Sequence, residues 1–416
     1  MNITVHPAQL NGTVTAPPSK SDVHRAIICA ALSKGRCSVS PVALSNDIKA
    51  TIACVKSLGA YVELNGDVLT VDGSNLFCND NITLDCGESG STLRFFVPIV
   101  CAGGLNAEFI GHGSLTTRPI GLFSTLLPNA GVNCKTSGTL PLSVSGRLMP
   151  GRFEVPGNIS SQFITGLLLA LPLLDGDSSI TLTTPLQSEA YVDMTIRTME
   201  RFGVKIQKTD YGYLVKGNQR YIPQNYTTDG DWSQAAFFLA AGAISGSVKV
   251  RGVSLDSTQG DKQIVDILKQ FGARILAESD GVRAEKSNLK AISIDARQIP
   301  DIVPILSVVA ALADGTTEIY GAERLRIKES DRLKTTAAML VSLGAKVEEK
   351  PDGLIITGVK SFSGATVDGS NDHRIVMSAA VAALRANGDV KITDKESINK
   401  SFPNFFEEYT KLGGVV

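Results

Sequence analysis

Met194-Thr195-Ile196-Arg197-Thr198-Met199-Glu200-Arg201-Phe202-Gly203-Val204 decides how the chain is read. The stretch is helix-like up to Arg201 and then stops on a glycine, which takes the left-handed conformation after a last helical turn without steric cost. The same ending, apolar-Gly-small, recurs at Leu58-Gly59-Ala60, Ala130-Gly131-Val132, Phe271-Gly272-Ala273, Leu343-Gly344-Ala345 and Leu412-Gly413-Gly414. The six glycines step by 72, 72, 69, 72 and 69 residues. A helix-like segment precedes each, and a strand, a turn and a second strand follow each of the first five.

A second mark keeps the same rhythm. Ala/Leu-rich segments end near Gly35, Gly104, Gly176, Gly246, Gly315 and Gly388, and Val/Ile/Thr strands such as Val248-Lys249-Val250 and Thr316-Thr317-Glu318-Ile319 follow. The repeating unit is helix, strand, second helix, strand, strand, roughly 70 residues long and present six times. Three such α/β modules make one domain, and 416 residues exceed one ordinary core. The turn-rich Thr227-Thr228-Asp229-Gly230-Asp231 lies between the third and fourth modules, and Pro17-Pro18 breaks the chain before the first helix. The predicted division is residues 1–17 with 229–416 in one domain and 18–228 in the other, the chain crossing twice.

Bulk properties exclude several classes. Hydrophobic residues are 43%, charged residues 19% and the formal net charge is -1. No global field is built here for nucleic acid or anionic lipid. Met1-Asn2-Ile3-Thr4-Val5 reads as a strand without a leader peptide, and the apolar run from Gly166 to Leu174 is too short for a bilayer and broken by Pro172. The seven cysteines are confined to the first third and contain no CxxC, which argues against a metal site or disulfide framework. Cys29 and Cys101 sit in apolar segments as core filler. The expectation is a cytoplasmic enzyme.

The chemistry collects where the first helix of each module begins. These starts read Ser19-Lys20-Ser21-Asp22-Val23-His24-Arg25, Gly87-Glu88-Ser89-Gly90-Ser91-Thr92-Leu93-Arg94, Gly157-Asn158-Ile159-Ser160-Ser161-Gln162, Gly230-Asp231-Trp232-Ser233-Gln234, Ile299-Pro300-Asp301-Ile302-Val303 and Ser370-Asn371-Asp372-His373-Arg374. Ser, Asp and Asn are ordinary N-caps. Capping does not account for Lys20, Arg25 and Arg374, because a helix N-terminus is already positive and favours acids. An anion between the cation and the free N–H groups resolves the conflict. Ser160-Ser161-Gln162 offers two hydroxyls and an amide at the same repeat position as Ser19-Lys20-Ser21.

The second helices add cations. Arg326-Ile327-Lys328-Glu329-Ser330-Asp331-Arg332 is expected to begin a helix with Lys328 and Arg332 at i, i+4 on one face. Taken alone, this reads as a solvated, salt-bridged helix start. Arg118 after Leu115-Thr116-Thr117 and Lys400 after Ser397-Ile398-Asn399 occupy the equivalent place, so the cation recurs.

Lys20-Ser21 with Arg25, the Gly87–Arg94 segment, Arg118-Pro119, Ser160-Ser161-Gln162, Arg326 to Arg332, Asp372-His373-Arg374 and Asn399-Lys400-Ser401-Phe402-Pro403 stand in order along the whole chain. In this it resembles the 3-phosphoshikimate 1-carboxyvinyltransferase (EPSP synthase) family. The resemblance implies an inside-out α/β barrel type of fold, two domains of three units with a ligand cleft between them that closes on its ligands. It implies a small-molecule enzyme of the shikimate pathway of aromatic amino-acid biosynthesis, monomeric, with no cofactor, metal, nucleic acid or membrane partner. Shikimate 3-phosphate would be held by Lys20, Ser21, Arg25, Ser160, Ser161, Gln162, Ser188, Asp301 and Lys328, with the serines on the phosphate and Asp301 on ring hydroxyls. Phosphoenolpyruvate would be held by Lys20, Gly90, Arg118, Gln162, Arg332, Arg374 and Lys400. Asp301 would act as base, Glu329 as proton donor, and Lys20 would share in proton transfer. Gly90 would also lie against glyphosate, the family's inhibitor. Two positions depart from the family pattern: Arg324 and Glu88 stand where members often carry Asn.

Two other readings compete. The enolpyruvyl transferases acting on UDP-N-acetylglucosamine carry a Cys five residues before their loop arginine, where this chain has Gly113 before Arg118. A non-enzymatic repeat scaffold leaves the cations at the helix starts without a purpose.

Overall fold

The computed structural model describes residues 1–416. The chain forms two compact units, Pro18–Thr228 and Met1–Pro17 with Asp229–Val416. Twelve α-helices run along it. The first unit holds α1 Lys20–Leu32, α2 Asn46–Ser57, α3 Gly90–Gly103, α4 Gly121–Asn129, α5 Ser161–Ala170 and α6 Glu189–Arg201. The second holds α7 Trp232–Ser245, α8 Ile264–Gln270, α9 Val303–Ala310, α10 Arg332–Ser342, α11 His373–Ala383 and α12 Phe405–Lys411. No helix is long and apolar enough to cross a membrane.

Odd- and even-numbered helices differ in kind. Every residue of α7, α9 and α11 is buried, as is nearly all of α1, α3 and α5. A helix apolar all round belongs inside a core. These odd-numbered helices pack on one another at the centre of each unit, α3 on α5 and α11 on α9 and α7. The even-numbered helices bury one face only; α6 buries Val192, Met194, Thr195, Thr198 and Met199. The apolar residues form two separate cores, one per unit.

Each even-numbered helix ends on its repeat glycine. Gly59, Gly131, Gly203, Gly272, Gly344 and Gly413 all have positive φ, between 83° and 108°. A side chain would be strained there. After α6, Gly203 N–H bonds the Glu200 carbonyl and Val204 N–H reaches back to Met199, a Schellman ending.

The sheets follow the modules. The strand entering an odd-numbered helix pairs in parallel with the strand leaving it, as Arg152–Val155 does with Ser178–Leu182 around α5, in register Arg152↔Ser179 to Val155↔Leu182. The hairpin after the even-numbered helix then adds two antiparallel strands. Five sheets have four strands and one has three. At the two chain crossings the entering strands are exchanged. Asn225–Thr227 completes the sheet of α1 by pairing with Arg36–Ser40, and Asn11–Thr15 completes that of α7 by pairing with Ser247–Arg251. A parallel strand pair thus accompanies every odd-numbered helix; five of the six begin on a side-chain cap, and α9 begins instead after the 3-10 turn Pro300–Ile302.

One expectation is corrected. The segment around Arg326 does not start a helix that carries both Lys328 and Arg332. Glu323–Ile327 is a 3-10 turn, Lys328 to Asp331 are non-helical, and Asp331 caps α10 by accepting the Lys334 N–H at 3.1 Å. The cap at Asp331 overrides the charge spacing, so Arg332 is the first helical residue.

Candidate active site

Caps place the candidate side chains in the Pro18–Thr228 unit. Ser19 caps α1, Ser89 caps α3 and Ser160 caps α5, each accepting a backbone N–H from the first turn. Lys20, Ser21 and Arg25 thus stand on the first turns of α1. Arg25 is buried and reaches across the helix bundle. Its Nε donates to Thr195 Oγ1 at 2.7 Å, its Nη1 to the Ser21 carbonyl at 2.6 Å and its Nη2 to the Tyr191 carbonyl at 2.9 Å. Burial pulls its pKa down to about 10, against the opposing pull of Asp22, so it remains charged at neutral pH. Lys20 pairs with Asp47 at 2.8 Å, a partner the sequence reading did not single out. Ser188 sits buried at the start of α6 with φ 55°.

Gly90, Arg118 and Gln162 come together, and they bring Arg94 with them. A Cβ on Gly90 would lie 2.8 Å from Arg118 Nη1, 2.8 Å from Arg94 Nη1 and 3.5 Å from Gln162 Oε1. Arg94 Nη1 donates to Gln162 Oε1 at 2.8 Å, and Gln162 Nε2 donates to Ser91 Oγ at 2.8 Å. Two buried guanidiniums therefore flank a residue without a side chain at a helix N-terminus, an arrangement suited to a small anion. Arg94 belongs to the Gly87–Arg94 segment, where the sequence alone assigns it no role. Its signal was a cation one turn into an otherwise apolar helix. Glu88 lies against Gly113: a Cβ there would meet the Glu88 carboxylate, and φ at Gly113 is 52°.

In the second unit three of the predicted cations converge on one carboxylate. Asp301, on the 3-10 turn before α9, receives Arg332 Nη1 at 2.9 Å and Lys328 Nζ at 3.3 Å, with Arg374 Nη2 at 3.7 Å. Arg374 Nη1 also donates to the Asp301 carbonyl at 2.7 Å and Nη2 to Ser233 Oγ at 3.0 Å. Burial works to raise the Asp301 pKa, and Lys328, Arg374 and Arg332 more than reverse it, holding the carboxyl well below its ordinary value. Lys328 is itself lowered, by burial first and by Arg332 and Arg324, against Asp301 and Glu329.

Arg332 is 1% exposed and carries three carboxylates. Its Nε donates to Asp372 at 2.8 Å, its Nη1 to Asp301 and its Nη2 to Glu329. Asp372 also caps α11 by accepting the Arg374 N–H at 2.9 Å. The sequence showed that cap but not its second duty as the Arg332 clamp. Lys400, at the end of the 395–400 turn, donates to the Asn371 carbonyl at 2.7 Å, beside the same helix start. Arg324 donates to the Arg297 carbonyl at 3.0 Å.

Known proteins are similar to this chain along its whole length. The family model described as EPSP synthase (3-phosphoshikimate 1-carboxyvinyltransferase) matches residues 5–409. A protein of that name from Clostridium novyi is 46% identical over 100% of this chain and 98% of its own. One from Clostridioides difficile is 43% identical over 99% of this chain and 98% of its own. An EPSP synthase structure from Acinetobacter baumannii superposes with a TM-score of 0.84 at 28% identity, covering 99% of this chain and 98% of the other. The enolpyruvyl transferase NikO from Streptomyces tendae shares the fold, at TM-score 0.80 and 17% identity over 99% of this chain and 97% of its own. On these matches the chain belongs to the EPSP synthase (3-phosphoshikimate 1-carboxyvinyltransferase) family.

Proposed function

We propose that this chain performs the reaction of its family with the residues described above. It transfers the enolpyruvyl group of phosphoenolpyruvate to the 5-hydroxyl of shikimate 3-phosphate. The 5-oxygen attacks C2 as C3 gains a proton; the tetrahedral intermediate then loses phosphate and a C3 proton to leave the enol ether.

The observation that carries the reading is Asp301 ringed by Lys328, Arg332 and Arg374. A carboxylate kept ionised among cations is already deprotonated when the hydroxyl arrives, and its proton affinity rises as substrate anions draw those cations away. The same cations suit the phosphate and carboxylate of the second substrate. Glu329 begins paired to Arg332. A substrate carboxylate that takes its place on Arg332 raises the proton affinity of Glu329 and makes it the donor to C3. Lys20, Ser21, Arg25, Ser160, Ser161, Gln162 and Ser188 bind shikimate 3-phosphate, with Asp301 and Lys328 at its hydroxyls. Lys20, Gly90, Arg118, Gln162, Arg332, Arg374 and Lys400 bind phosphoenolpyruvate, and Arg94 joins them through Gln162 and Gly90.

Glu88 beside Gly113 supports this acceptor over a UDP-sugar. A cysteine at 113, as in the UDP-N-acetylglucosamine enzymes, would meet Glu88 on a backbone that disfavours any side chain. Seven free cysteines support a reducing, cytoplasmic setting. The chain acts as a monomer, which sedimentation checks. Isothermal titration tests the acceptor: heat with shikimate 3-phosphate and none with UDP-N-acetylglucosamine is expected, and the opposite pattern overturns the reading.

A further inference from the structure

A buried titratable group in the first helix has no place in this chemistry. His24 is one turn beyond Lys20, adjacent to Arg25, and fully buried. Its Nδ1 is 2.7 Å from Thr51 Oγ1 on α2. Thr51 Oγ1 is 2.8 Å from Thr92 Oγ1 on α3, and Thr92 Oγ1 donates to Ser89 Oγ at 2.8 Å. Ser89 also accepts the Thr92 N–H at 3.2 Å and is the cap directly before Gly90. All four side chains are at most 1% exposed.

The polarity of this relay follows from proton counting. The Thr92 hydroxyl has one proton and gives it to Ser89, so Thr51 donates to Thr92. Thr51 has then spent its own proton, so His24 donates from Nδ1. His24 is the neutral Nδ1–H tautomer, with Nε2 buried and lacking a hydrogen-bond partner. Burial first, and then Lys20 and Arg25, push its pKa well down, which keeps it neutral. The ring also stands edge-on to Phe95 of α3, with centroids 6.4 Å apart, and the Arg25 guanidinium lies over the same Phe95 at 5.2 Å.

We propose that His24 is a positioning residue that fixes the Ser89–Gly90 helix start relative to α1, and so sets the affinity for phosphoenolpyruvate. Gly90 has Arg118 and Arg94 atoms 2.8 Å from where its Cβ would be, so small shifts of this backbone change the distance between the two cations and the anion they hold. The relay joins the Lys20–Arg25 turn to that backbone through three helices. The inference rests on the substrate assignment made above.

Three variants test it by steady-state kinetics. His24→Asn keeps a donor near the Nδ1 position; His24→Leu removes it; Thr92→Val cuts the relay at its far end. With His24→Leu and Thr92→Val the KM for phosphoenolpyruvate is expected to rise about tenfold, the effect of one lost buried hydrogen bond. The KM for shikimate 3-phosphate should move less than threefold, on the order of half a kcal/mol. The double variant should be no worse than either single one, because both break one chain. His24→Asn should stay within about twofold of the unaltered enzyme. The inference is overturned if His24→Leu lowers only the melting temperature or the active fraction with KM unchanged, or if His24→Asn is as impaired as His24→Leu. If His24→Leu fails to fold, Thr92→Val alone decides: an unmoved KM for phosphoenolpyruvate overturns the inference. Absence of turnover in the unaltered protein overturns the substrate assignment, and the inference with it, and is seen before any variant is made.

Discussion

Arg332 Nη1 lies 2.9 Å from Asp301 Oδ1, joining the first residue of α10 to the turn that precedes α9. The pair is mostly buried and sits within a six-membered charge group: Lys328, Arg332 and Arg374 against Asp301, Glu329 and Asp372. Such a balanced group satisfies its own charges before substrate arrives. On the proposed assignment, substrate anions would enter by exchange, taking cations from carboxylates, and that exchange would change the proton affinity of the released acid.

The first prediction concerns Asp301 and pH. Its folded pKa is depressed, so its contribution to stability is fully present above the unfolded value of about 3.9 and is lost as pH falls through the lower folded value. Asp301→Asn leaves buried cations short of a partner and should cost about 3 kcal/mol at pH 7. In urea unfolding, the gap between the two proteins should be constant from pH 7 down to about 5 and narrow below about 4. A gap that is unchanged at pH 3 contradicts the depressed pKa.

Lys20→Ala should remove nearly all turnover while the protein stays folded. Lys20 pairs with Asp47 at the start of a helix whose buried apolar side chains carry the packing. Retention of more than about a tenth of the unaltered kcat, a loss below about 1.4 kcal/mol, excludes a catalytic role for it.

Gly90→Ala puts a methyl 2.8 Å from two guanidinium nitrogens, so both arginines must shift and the KM for phosphoenolpyruvate rises. Glyphosate is longer than the substrate, and its Ki against phosphoenolpyruvate should rise by the larger factor. Equal factors at saturating shikimate 3-phosphate would show that the methyl damages the site without discriminating by length.

Gly113→Cys tests the loop that separates the two acceptor classes. The side chain would meet Glu88 at a φ of 52°, and the left-handed backbone alone costs about 1 kcal/mol. Thermal unfolding should shift down, and UDP-N-acetylglucosamine should still not bind. A variant of unchanged stability contradicts the geometry given for Glu88 and Gly113.

The parts that were legible in the sequence were local. The repeat glycines were visible because a left-handed residue after a helix is a one-residue requirement, and all six have positive φ. The helix starts were visible because a cap is chemistry within three residues. The site residues on those starts were proposed through resemblance and through the oddity of cations at positive helix ends. What stayed hidden depends on contacts between modules. Asp47 is 27 positions from Lys20, and Asp372 is 40 from Arg332, and nothing near either carboxylate marks its partner. The Arg326–Arg332 segment misled because its charge spacing imitates a helix, whereas Asp331 starts α10 only at Arg332.

The central claim is enolpyruvyl transfer to shikimate 3-phosphate, and the most direct measurement is phosphate release by the purified protein with both substrates, with the product mass determined. The account predicts one phosphate released per 5-enolpyruvylshikimate 3-phosphate formed, without added metal or cofactor, and none when either substrate is omitted. Phosphate release that needs no shikimate 3-phosphate, or that occurs only with UDP-N-acetylglucosamine, would contradict it.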